Sequence, residues 1–547
     1  MPTVAQIFAR TLKEIGVRFV FGVPSGNMID YIEALREEDG IDFILGGHEA
    51  TASFMADVCG RITGIPGVCF GTFGPGATNL STGVGGALLD RSPLIAFTDE
   101  MPEHLLNRTV QMNINHQELF KPITNWTTSF SKNNVREVIL KGAEIAVAEI
   151  PGSVHIGVPA GIGQQTIGNS ESAINYLRIE KESSNATNEE INDKVEMLFK
   201  HSKKPVLAVG LSAVREGVKS LVIQIAEKFQ LPVVLTPMAK GMFPEDHPLY
   251  VGVLFHALSD YVAETYRDAD LVVGIGYDPV EFNYEDWMPD VPLIHFDSKK
   301  ADVDNAQIKT VINVLGELET TLKEFLEINT DKKDWNITAL QYRKNELFQK
   351  LIPKPNSFGP LAVVEELRNI LPDDGILSVD VGAHLHLIGQ MWRTPEPQKL
   401  IMTNGWSSMG FAIPAALAAK LCHPELPVAA ILGDGGFLMT VGELATAARL
   451  NLKIVFVVIV DESLSLIRIK QGNKNYNCDY GTNLQNKIKE PTNHYFGVPV
   501  IRATNFMKYK NALVEGFSLN GPVVIEAVVD GNEYKDLVLK PHKGNQK

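Results

Sequence analysis

Short apolar runs alternate along the whole chain with segments of helical periodicity. Runs such as FVFGV (19–23), GVCFGTF (67–73) and LVVGIG (271–276) are apolar almost without interruption. Continuous runs are typical of strands covered on both faces, and strands that alternate with helices form parallel sheets. The pattern predicts an α/β protein built from doubly wound parallel sheets.

Two polar passages divide this pattern into three blocks. Residues 166–190 lose the apolar period and gain Ser, Asn and charged residues, and a polar, Lys-rich passage covers 330–358. We therefore predict three doubly wound domains, at 1–165, 191–330 and 359–530. The first and third blocks are alike in layout.

Composition narrows the class of protein. The chain has 547 residues, 45% of them hydrophobic and 21% charged, and its formal charge of −15 comes without a Lys/Arg block, so we do not expect nucleic acid as a partner. Cys59, Cys69, Cys422 and Cys478 show no CxxC spacing, which favours a reducing, cytoplasmic location. No apolar run reaches the roughly 18 residues of a membrane span, so a membrane partner is not expected.

One aspartate stands among glycines in GDGGFLMT (433–440), directly after the apolar run AAIL. A tight turn is one interpretation, because Gly tolerates positive φ and Asp bonds to nearby backbone. In the other interpretation, the turn precedes a helix VGELATAARLN (441–451), and its free backbone N–H groups attract phosphate.

A second aspartate, Asp461, ends the next long apolar run, IVFVVIV (454–460). Carboxylates that end neighbouring parallel strands point into one crevice, where ligands of open α/β folds bind. Two oxygen ligands beside a phosphate cradle suit Mg²⁺. Alternatively, Asp434 and Asp461 cap helices. The pair predicts a magnesium and diphosphate site, with helix capping as the competing interpretation.

This arrangement, GDG followed one strand later by an acidic residue, resembles the thiamin-diphosphate enzyme family. The resemblance implies that Asp434, Asp461 and the carbonyl of Ser463 hold Mg²⁺ against the diphosphate. The usual Asn-Asn is here Val460-Asp461, which is similar to the variant of the catabolic acetolactate synthases. The expected cofactors are thus thiamin diphosphate and Mg²⁺.

The same resemblance implies a proton-transfer carboxylate in the first block. Glu49 follows the apolar run DFIL (42–45) and opens a helical segment. Acidic residues are favoured in a first helical turn in any case. In the family, the Glu at this place exchanges a proton with N1′ of the aminopyrimidine and so allows the thiazolium C2 to lose its proton. FGTFGPGATN (70–79) resembles the family's glycine-rich loop.

Further segments extend the resemblance across the third block. In VDVGAH (379–384) and NGWSSMG (404–410) the family places residues that touch the cofactor. His384 could instead cap a surface helix, and Met409 could be plain core. By resemblance, Met409 wedges the bent cofactor, Ser407 offers its carbonyl to the 4′-amino group, and the diphosphate meets Gly382, Ala383, His384, Gly433, Gly435 and Gly436.

Three features bear on the branch of the family. Ser25 stands where pyruvate-decarboxylase-like enzymes have Asp, and Gln111 would position the bound adduct as in catabolic acetolactate synthases. GIGYDP (274–279) differs from the pattern of FAD-containing synthases, so FAD is not expected. Departures at Gly47 and Asn125, and the missing aromatic residue after Asp461, lie near the expected substrate entrance and leave the substrate open.

The resemblance implies a carboligase that decarboxylates a 2-oxo acid such as pyruvate and joins the fragment to a second 2-oxo acid, giving acetolactate. A decarboxylase or lyase for another 2-oxo or 2-hydroxy acid is the first alternative, and a non-catalytic nucleotide-binding module is the second. Glu49 and the metal residues lie in different blocks, and the resemblance implies that each cofactor then lies between two subunits, so we expect a homodimer or homotetramer.

Overall fold

The computed structural model of the protein describes residues 1–167, 189–355, 357–476, 479–485 and 491–538. Of the linker predicted at 166–190, residues 168–188 lie outside these ranges. No helix in the described part of the chain is long and apolar enough to cross a membrane.

The first sheet consists of parallel strands, and most of them are buried on both faces. The strands are β1 (Phe19–Gly22), β2 (Asp42–Leu45), β3 (Gly67–Gly71), β4 (Leu94–Glu100), β5 (Trp126–Ser129) and β6 (Ser153–Pro159). The helices are α1 (Val4–Glu14), α2 (Ile29–Glu37), α3 (Glu49–Thr63), α4 (Pro75–Leu89), α5 (His116–Phe120) and α6 (Val135–Ala146). The strands lie in the order β2-β1-β3-β4-β6-β5. Since β3 and β4 are buried along their whole length, their apolar runs are explained by helices on both faces.

The central sheet is also parallel. Its strands are β7 (Pro205–Val209), β8 (Val233–Leu235), β9 (Tyr250–Val253), β10 (Leu271–Ile275), β11 (Leu293–Asp297) and β12 (Val311–Leu315). The helices here are α7 (Glu189–His201), α8 (Leu211–Arg215), α9 (Lys219–Phe229), α10 (Ser259–Arg267), α11 (Leu318–Leu326) and α12 (Ile337–Gln349). The order β12-β11-β10-β7-β8-β9 reverses between β10 and β7, as in the doubly wound dinucleotide-binding fold.

The third sheet positions the predicted cofactor residues. It contains β13 (Ile376–Val379), β14 (Leu400–Ile401), β15 (Val428–Gly433), β16 (Ile454–Val460), β17 (His494–Tyr495), β18 (Val498–Ala503) and β19 (Val523–Val528). Around it lie α13 (Pro360–Ile370), α14 (Ala383–Met391), α15 (Ala412–Cys422), α16 (Asp434–Thr440), α17 (Leu444–Arg449), α18 (Ser465–Asn473) and α19 (Phe506–Ser518). Its order is β14-β13-β15-β16-β19-β18-β17, parallel except for the β17–β18 pair. Short 3₁₀ helices cover Lys121–Ile123, Pro237–Ala239, Tyr284–Asp286, Val441–Glu443 and Gly531–Asp536.

The predicted fold class is confirmed. The first and third sheets share one order of parallel strands once the two-residue antiparallel strand β17 is left out, because β2-β1-β3-β4-β6-β5 then corresponds to β14-β13-β15-β16-β19-β18. One local prediction is wrong. The sequence predicted a turn at GDGG and a helix over 441–451, but helix α16 begins at Asp434 itself, a 3₁₀ turn follows at Val441–Glu443, and α17 is a separate short helix.

The first and third sheets are joined by one shared hydrophobic core. Helix α3 packs against α15, and the rings of Phe54 and Phe411 meet edge to face with centroids 5.6 Å apart. The core cluster around this contact includes residues of β15 and β16 on one side and of β3 and β4 on the other. The helix that carries Glu49 is therefore held against the domain that carries the two aspartates.

Candidate active site

A cavity of about 210 Å³ lies at the carboxyl ends of β13, β15 and β16. The starts of helices α14, α16 and α18 close its sides. All the residues that the sequence predicted to hold the diphosphate, the pyrimidine's 4′-amino group or the metal line this one cavity: Gly382, Ala383, His384, Ser407, Met409, Gly433, Asp434, Gly435, Gly436, Asp461 and Ser463. Glu49 and Gln111, the two predicted catalytic residues, are not among its lining residues.

The two aspartates come together because their strands are neighbours. Strands β15 and β16 pair in parallel with Gly433 level with Ile459, and each aspartate follows the last residue of its strand. Asp434 Oδ2 accepts a hydrogen bond of 2.7 Å from the backbone N–H of Glu462, which immediately follows Asp461. The register of two adjacent strands thus directs both carboxyl groups to one place.

The electrostatics of this pair favour a cation. Burial raises the pKa of Asp434 to about 7, and the charge of Asp461 adds to the shift. Burial also raises the pKa of Asp461, whose Oδ2 accepts the hydroxyl hydrogen of Ser465. Two half-buried carboxylates this close together are costly without a counter-charge, and a divalent ion with oxygen ligands would supply it.

The glycines around Asp434 leave room where side chains would block the cavity. A Cβ on Gly435 would lie 2.5 Å from Leu464 Cδ2 and 3.3 Å from Met409 Cε. A Cβ on Gly436 would lie 3.0 Å from the carboxyl group of Asp380. Since α16 begins at Asp434, both glycines belong to its first turn, and the cradle is a helix start rather than a turn before a helix.

Asp380 is a site residue that the sequence analysis missed. It follows β13 and is fully buried, and its carboxyl oxygens accept N–H groups from Val381 at 2.7 Å and from Gly410 at 2.9 Å. Burial raises its pKa to about 7. These bonds tie the start of α14 to the turn that carries Met409. The sequence contains a feature that could have identified Asp380, because it stands at the end of the apolar run GILSV. Asp461 was identified by the same feature.

The surroundings of His384 and Met409 decide between the alternatives that the sequence left open for these two side chains. His384 is buried, which excludes a surface cap, and burial lowers its pKa to about 4. Its ring lines the cavity, and Nε2 has no hydrogen-bond partner within the described ranges. Met409 is half-buried and borders the cavity, so it is not ordinary core. Ser407 in the same turn has a φ of 53°, an uncommon backbone conformation for a side-chain-bearing residue.

Glu49 lies at the carboxyl edge of the first sheet. It opens α3, whose N-terminus is capped by His48 through a 3.1 Å bond from the N–H of Ala50 to Nδ1. Glu49 is 9% exposed, and its Oε2 accepts a 2.9 Å hydrogen bond from Asn79 Nδ2. A Cβ on Gly76 would lie 3.3 Å from Oε1. The glycine-rich loop predicted at 70–79 therefore lies directly against Glu49.

Gln111 lies in an exposed turn of the segment between β4 and α5. The turn is held by Asn113, whose amide donates to the carbonyls of Leu105, Leu106 and Arg108. Met112, next to Gln111, approaches the glycine-rich loop, since a Cβ on Gly74 would lie 2.8 Å from its carbonyl oxygen. Gln111 is thus near the loop that covers Glu49, and its role stays a prediction.

A chain of buried hydrogen bonds lies beneath that loop and was also missed. Gly74 N–H donates to His116 Nε2 at 3.2 Å, so His116 Nδ1 carries the proton and donates to Thr98 at 2.9 Å. Thr98 then donates to His155 Nε2 at 2.7 Å. His155 Nδ1 donates to Thr127, whose hydroxyl donates to Gln117 Oε1, both at 2.7 Å.

The chain of hydrogen bonds ends on a buried carboxylate. Gln117 Nε2 donates to Glu100 Oε1 at 2.5 Å, and Ser129 donates to Oε2. Burial lowers the pKa of His116 to about 4 and moves that of His155 in the same direction, which fits two neutral rings. Glu100, His116 and His155 are close enough to share a metal ion, but both nitrogens of each ring are already in hydrogen bonds. The cluster therefore anchors the loop.

Family models match three stretches of the chain. The N-terminal TPP binding domain of thiamine pyrophosphate enzymes matches residues 2–119, the central domain 192–325 and the C-terminal TPP binding domain 380–527. The first stretch contains Glu49 and Gln111, and the third contains the residues of the cavity wall from Val381 to Ile467. The chain belongs to the thiamine pyrophosphate enzyme family, which confirms the resemblance.

Within this family, the chain is similar to acetolactate synthases. It is 30% identical to the acetolactate synthase large subunit of Lactococcus lactis subsp. lactis, over 85% of this chain and 81% of the relative. It is 29% identical to the acetolactate synthase of Bacillus subtilis (strain 168), over 96% of this chain and 93% of the relative. The chain is also 29% identical to the probable acetolactate synthase large subunit of Methanocaldococcus jannaschii, over 98% of this chain and 93% of the relative.

Proposed function

We propose that the protein is a thiamin-diphosphate-dependent carboligase that decarboxylates a small 2-oxo acid, with pyruvate as the first candidate, and joins the fragment to a second 2-oxo acid to give acetolactate. The observation that carries the proposal is that the predicted diphosphate and metal residues line one cavity. Similarity to acetolactate synthases over most of the chain supports the reaction and the substrate class.

The residues of the cavity fit the diphosphate end of the cofactor. Gly435 and Gly436 keep open the space that a Cβ would occupy, and a buried His384 Nε2 lacks a partner among the described residues. Asp434 and Asp461 supply two carboxylates whose pKa values are raised by burial, and a bound cation would favour their ionised forms. We therefore assign Mg²⁺ to Asp434, Asp461 and the carbonyl of Ser463, and the diphosphate to the first turns of α14 and α16.

When bound, thiamin diphosphate supplies the electron sink that lets the carboxylate of a 2-oxo acid leave as CO₂. Glu49 would hold the proton that is exchanged with the aminopyrimidine. Asn79 holds Oε2, so Oε1 is the oxygen left for this exchange, and Gly76 beside it has no side chain that could cover it. Gln111 and the exposed turn around it would orient the substrate adduct, and we expect no FAD.

A complete site requires two copies of the chain in this proposal. Glu49 is not among the residues that line the cavity of its own chain. Each cavity would therefore be completed by the Glu49 of a second copy, in a homodimer or a homotetramer. Mixing two inactive variants, Glu49→Gln and Asp434→Asn, tests the arrangement. A hybrid dimer has one intact and one doubly defective site, so a random mixture should regain about a quarter of the activity.

The first experiment is a mass-spectrometric product profile of the purified protein with thiamin diphosphate, Mg²⁺ and pyruvate. We expect acetolactate, which Glu49→Gln abolishes and Glu144→Gln, an exposed glutamate on α6, leaves unchanged. Acetaldehyde as the only product would show that the protein is a decarboxylase and not a carboligase. Unchanged pyruvate together with calorimetric binding of thiamin diphosphate would point to another 2-oxo or 2-hydroxy acid. Absence of binding would contradict the proposal.

A further inference from the structure

Two cysteine thiols on helices of different domains meet in the core. Cys59 lies on the C-terminal half of α3, and Cys422 is the last residue of α15. Their Sγ atoms are 3.4 Å apart although the residues are 363 positions apart in the chain, and both thiols are free. The contact therefore bridges the domain that contains Glu49 and the domain that contains the cofactor cavity.

The geometry is close to that of a disulfide. The Sγ atoms are 3.4 Å apart and a disulfide has an S–S length of about 2.05 Å, so the sulfurs need to approach by about 1.4 Å. The packing of α3 on α15 already holds the two side chains side by side. Cys69 provides a contrast, because it is fully buried in the middle of β3 and contacts no other thiol within the described residues.

A small cavity lies beside the pair, and both cysteines keep a little exposed surface. A cavity of about 20 Å³ is lined by both cysteines and by Arg18, and about 10–15 Å³ is enough for one water molecule. Cys59 is 8% exposed and Cys422 is 9% exposed. The hydrogen bond between the thiols lowers the pKa of Cys422, and the positive charge of Arg18 lowers it further. Cys422 is consequently the better nucleophile of the two.

We propose that Cys59 and Cys422 are a redox modification site, at which hydrogen peroxide converts the two thiols into a disulfide that links the first domain to the third. The Cys422 thiolate attacks one peroxide oxygen, which breaks the O–O bond and releases hydroxide, and leaves a sulfenic acid on Cys422. The sulfur of Cys59 then displaces the sulfenic hydroxyl, which leaves as water with the Cys59 proton. The hydroxide takes up the proton that the Cys422 thiol lost, so two thiols are oxidised and one peroxide is reduced to two waters.

The disulfide joins the two helices that underlie the candidate active site. Helix α3 begins at Glu49, and α15 follows the turn that contains Met409. A covalent link between them prevents the two domains from separating, so it also restricts the unfolded chain. The inference stands on the position of the sulfurs and does not depend on the proposed function.

The test treats the full-length protein with hydrogen peroxide under native conditions, blocks remaining thiols with N-ethylmaleimide during denaturation, and maps the peptides by mass spectrometry without reduction. We expect a linked pair of peptides containing Cys59 and Cys422 that dithiothreitol separates. Cys69→Ala should retain this pair, whereas Cys59→Ala and Cys422→Ala should lose it. The oxidised protein should also unfold at a higher temperature than the reduced protein, with no such difference in Cys422→Ala.

Oxidation of Met197, which is 59% exposed, shows within the same digest that the peroxide treatment worked. Blocked, unlinked Cys59 and Cys422 in a sample with oxidised Met197 would overturn the proposal. Sulfinic acid on either residue without a linked peptide, or a link to Cys69 or Cys478 in its place, would overturn it as well. The mapping of the unmodified sequence decides the question even if an alanine variant fails to fold.

Discussion

The hydroxyl of Thr51 donates a 2.5 Å hydrogen bond to the carboxyl group of Glu443, and the two residues are 392 positions apart in the chain. The same carboxyl group accepts the N–H of Gly47 at 3.1 and 3.0 Å. Glu443 is buried in the 3₁₀ turn that follows α16, and Thr51 is in the first turn of α3. One side chain thus connects the helix that begins at Asp434 with the helix that begins at Glu49.

Removing this connection should destabilise the protein and displace Glu49. Glu443→Ala removes the acceptor of the Gly47 N–H and one of the two acceptors of the buried Thr51 hydroxyl, which keeps the carbonyl of His48 at 2.6 Å, so we expect a cost of about 1–3 kcal/mol in all. We expect a lower thermal midpoint and a lower kcat. Glu443→Gln keeps one oxygen acceptor and should lie between wild type and Glu443→Ala. Wild-type turnover in a folded Glu443→Ala variant would show that Glu49 does not depend on this contact.

The pKa of Asp434 predicts that the stability of the metal-free protein depends on pH. The folded-state value of about 7 lies above the ordinary value of 3.8, so the folded state holds an extra proton between these pH values and loses stability as pH rises. In EDTA, Asp434→Asn should therefore be more stable than wild type at pH 7, by roughly a few kcal/mol, and equal to it near pH 4. Chemical unfolding at several pH values measures the difference.

Magnesium should reverse the order of stability of wild type and Asp434→Asn. The ion requires the ionised carboxyl group, so its affinity should rise by up to about tenfold per pH unit below pH 7. With Mg²⁺ and thiamin diphosphate present, wild type should be the more stable protein at neutral pH. A wild-type protein that EDTA neither destabilises nor inactivates would contradict a metal site at Asp434 and Asp461.

The cavity should be sensitive to one methyl group at Gly435. The clash with Leu464 involves the end of a flexible side chain, so Gly435→Ala should fold, but its Cβ also approaches Met409. We expect the Kd for thiamin diphosphate, measured by calorimetry with Mg²⁺, to rise about tenfold or more. Gly442→Ala is the matched control, because nothing lies within 4 Å of its Cβ. Equal affinities in the two variants would argue against the cradle.

The buried histidines should make the protein acid-sensitive. The pKa of His116 falls from 6.5 to about 4, so the unfolded state binds more protons between these values and stability decreases as pH falls from 6.5 to 4. His116→Asn should reduce the slope by about 1.4 kcal/mol per pH unit. His201→Asn, an exposed histidine on α7, should leave the slope unchanged. An identical slope in all three proteins would show that His116 does not titrate differently in the folded state.

Much of the cavity wall could be predicted from the sequence because it depends on local signals. Asp434 and Asp461 each follow a long apolar strand, and adjacency of those strands in a parallel sheet was enough to bring them together. The start of α16 was misjudged because Gly435 and Gly436 have low helix propensity, and the tertiary contacts of the cavity override it.

Glu443, His116 and His155 could not be predicted in the same way. Their partners are distant in sequence, and a buried Glu or His carries no local mark that separates it from an exposed one. The pairing of Cys59 with Cys422 was invisible for the same reason, since it depends on how α3 packs on α15. Gln111 is the reverse case. The family motif suggests a catalytic role for it, but its side chain is exposed and its contacts within one chain give no sign of that role.

The shared strand order of the first and third sheets allows their positions to be equated. Gly71 is level with Thr98 in the first sheet as Gly433 is level with Ile459 in the third, so Glu100 occupies the place that Asp461 occupies in the third sheet. The first and third sheets thus form the same kind of crevice, and in each a carboxylate stands at the same point at the end of the fourth strand. In the third sheet that carboxylate faces the cavity, whereas in the first it is engaged by Gln117 and Ser129. The protein contains an internal counterpart of its proposed metal site, in which amide and hydroxyl hydrogens would take the place of the ion.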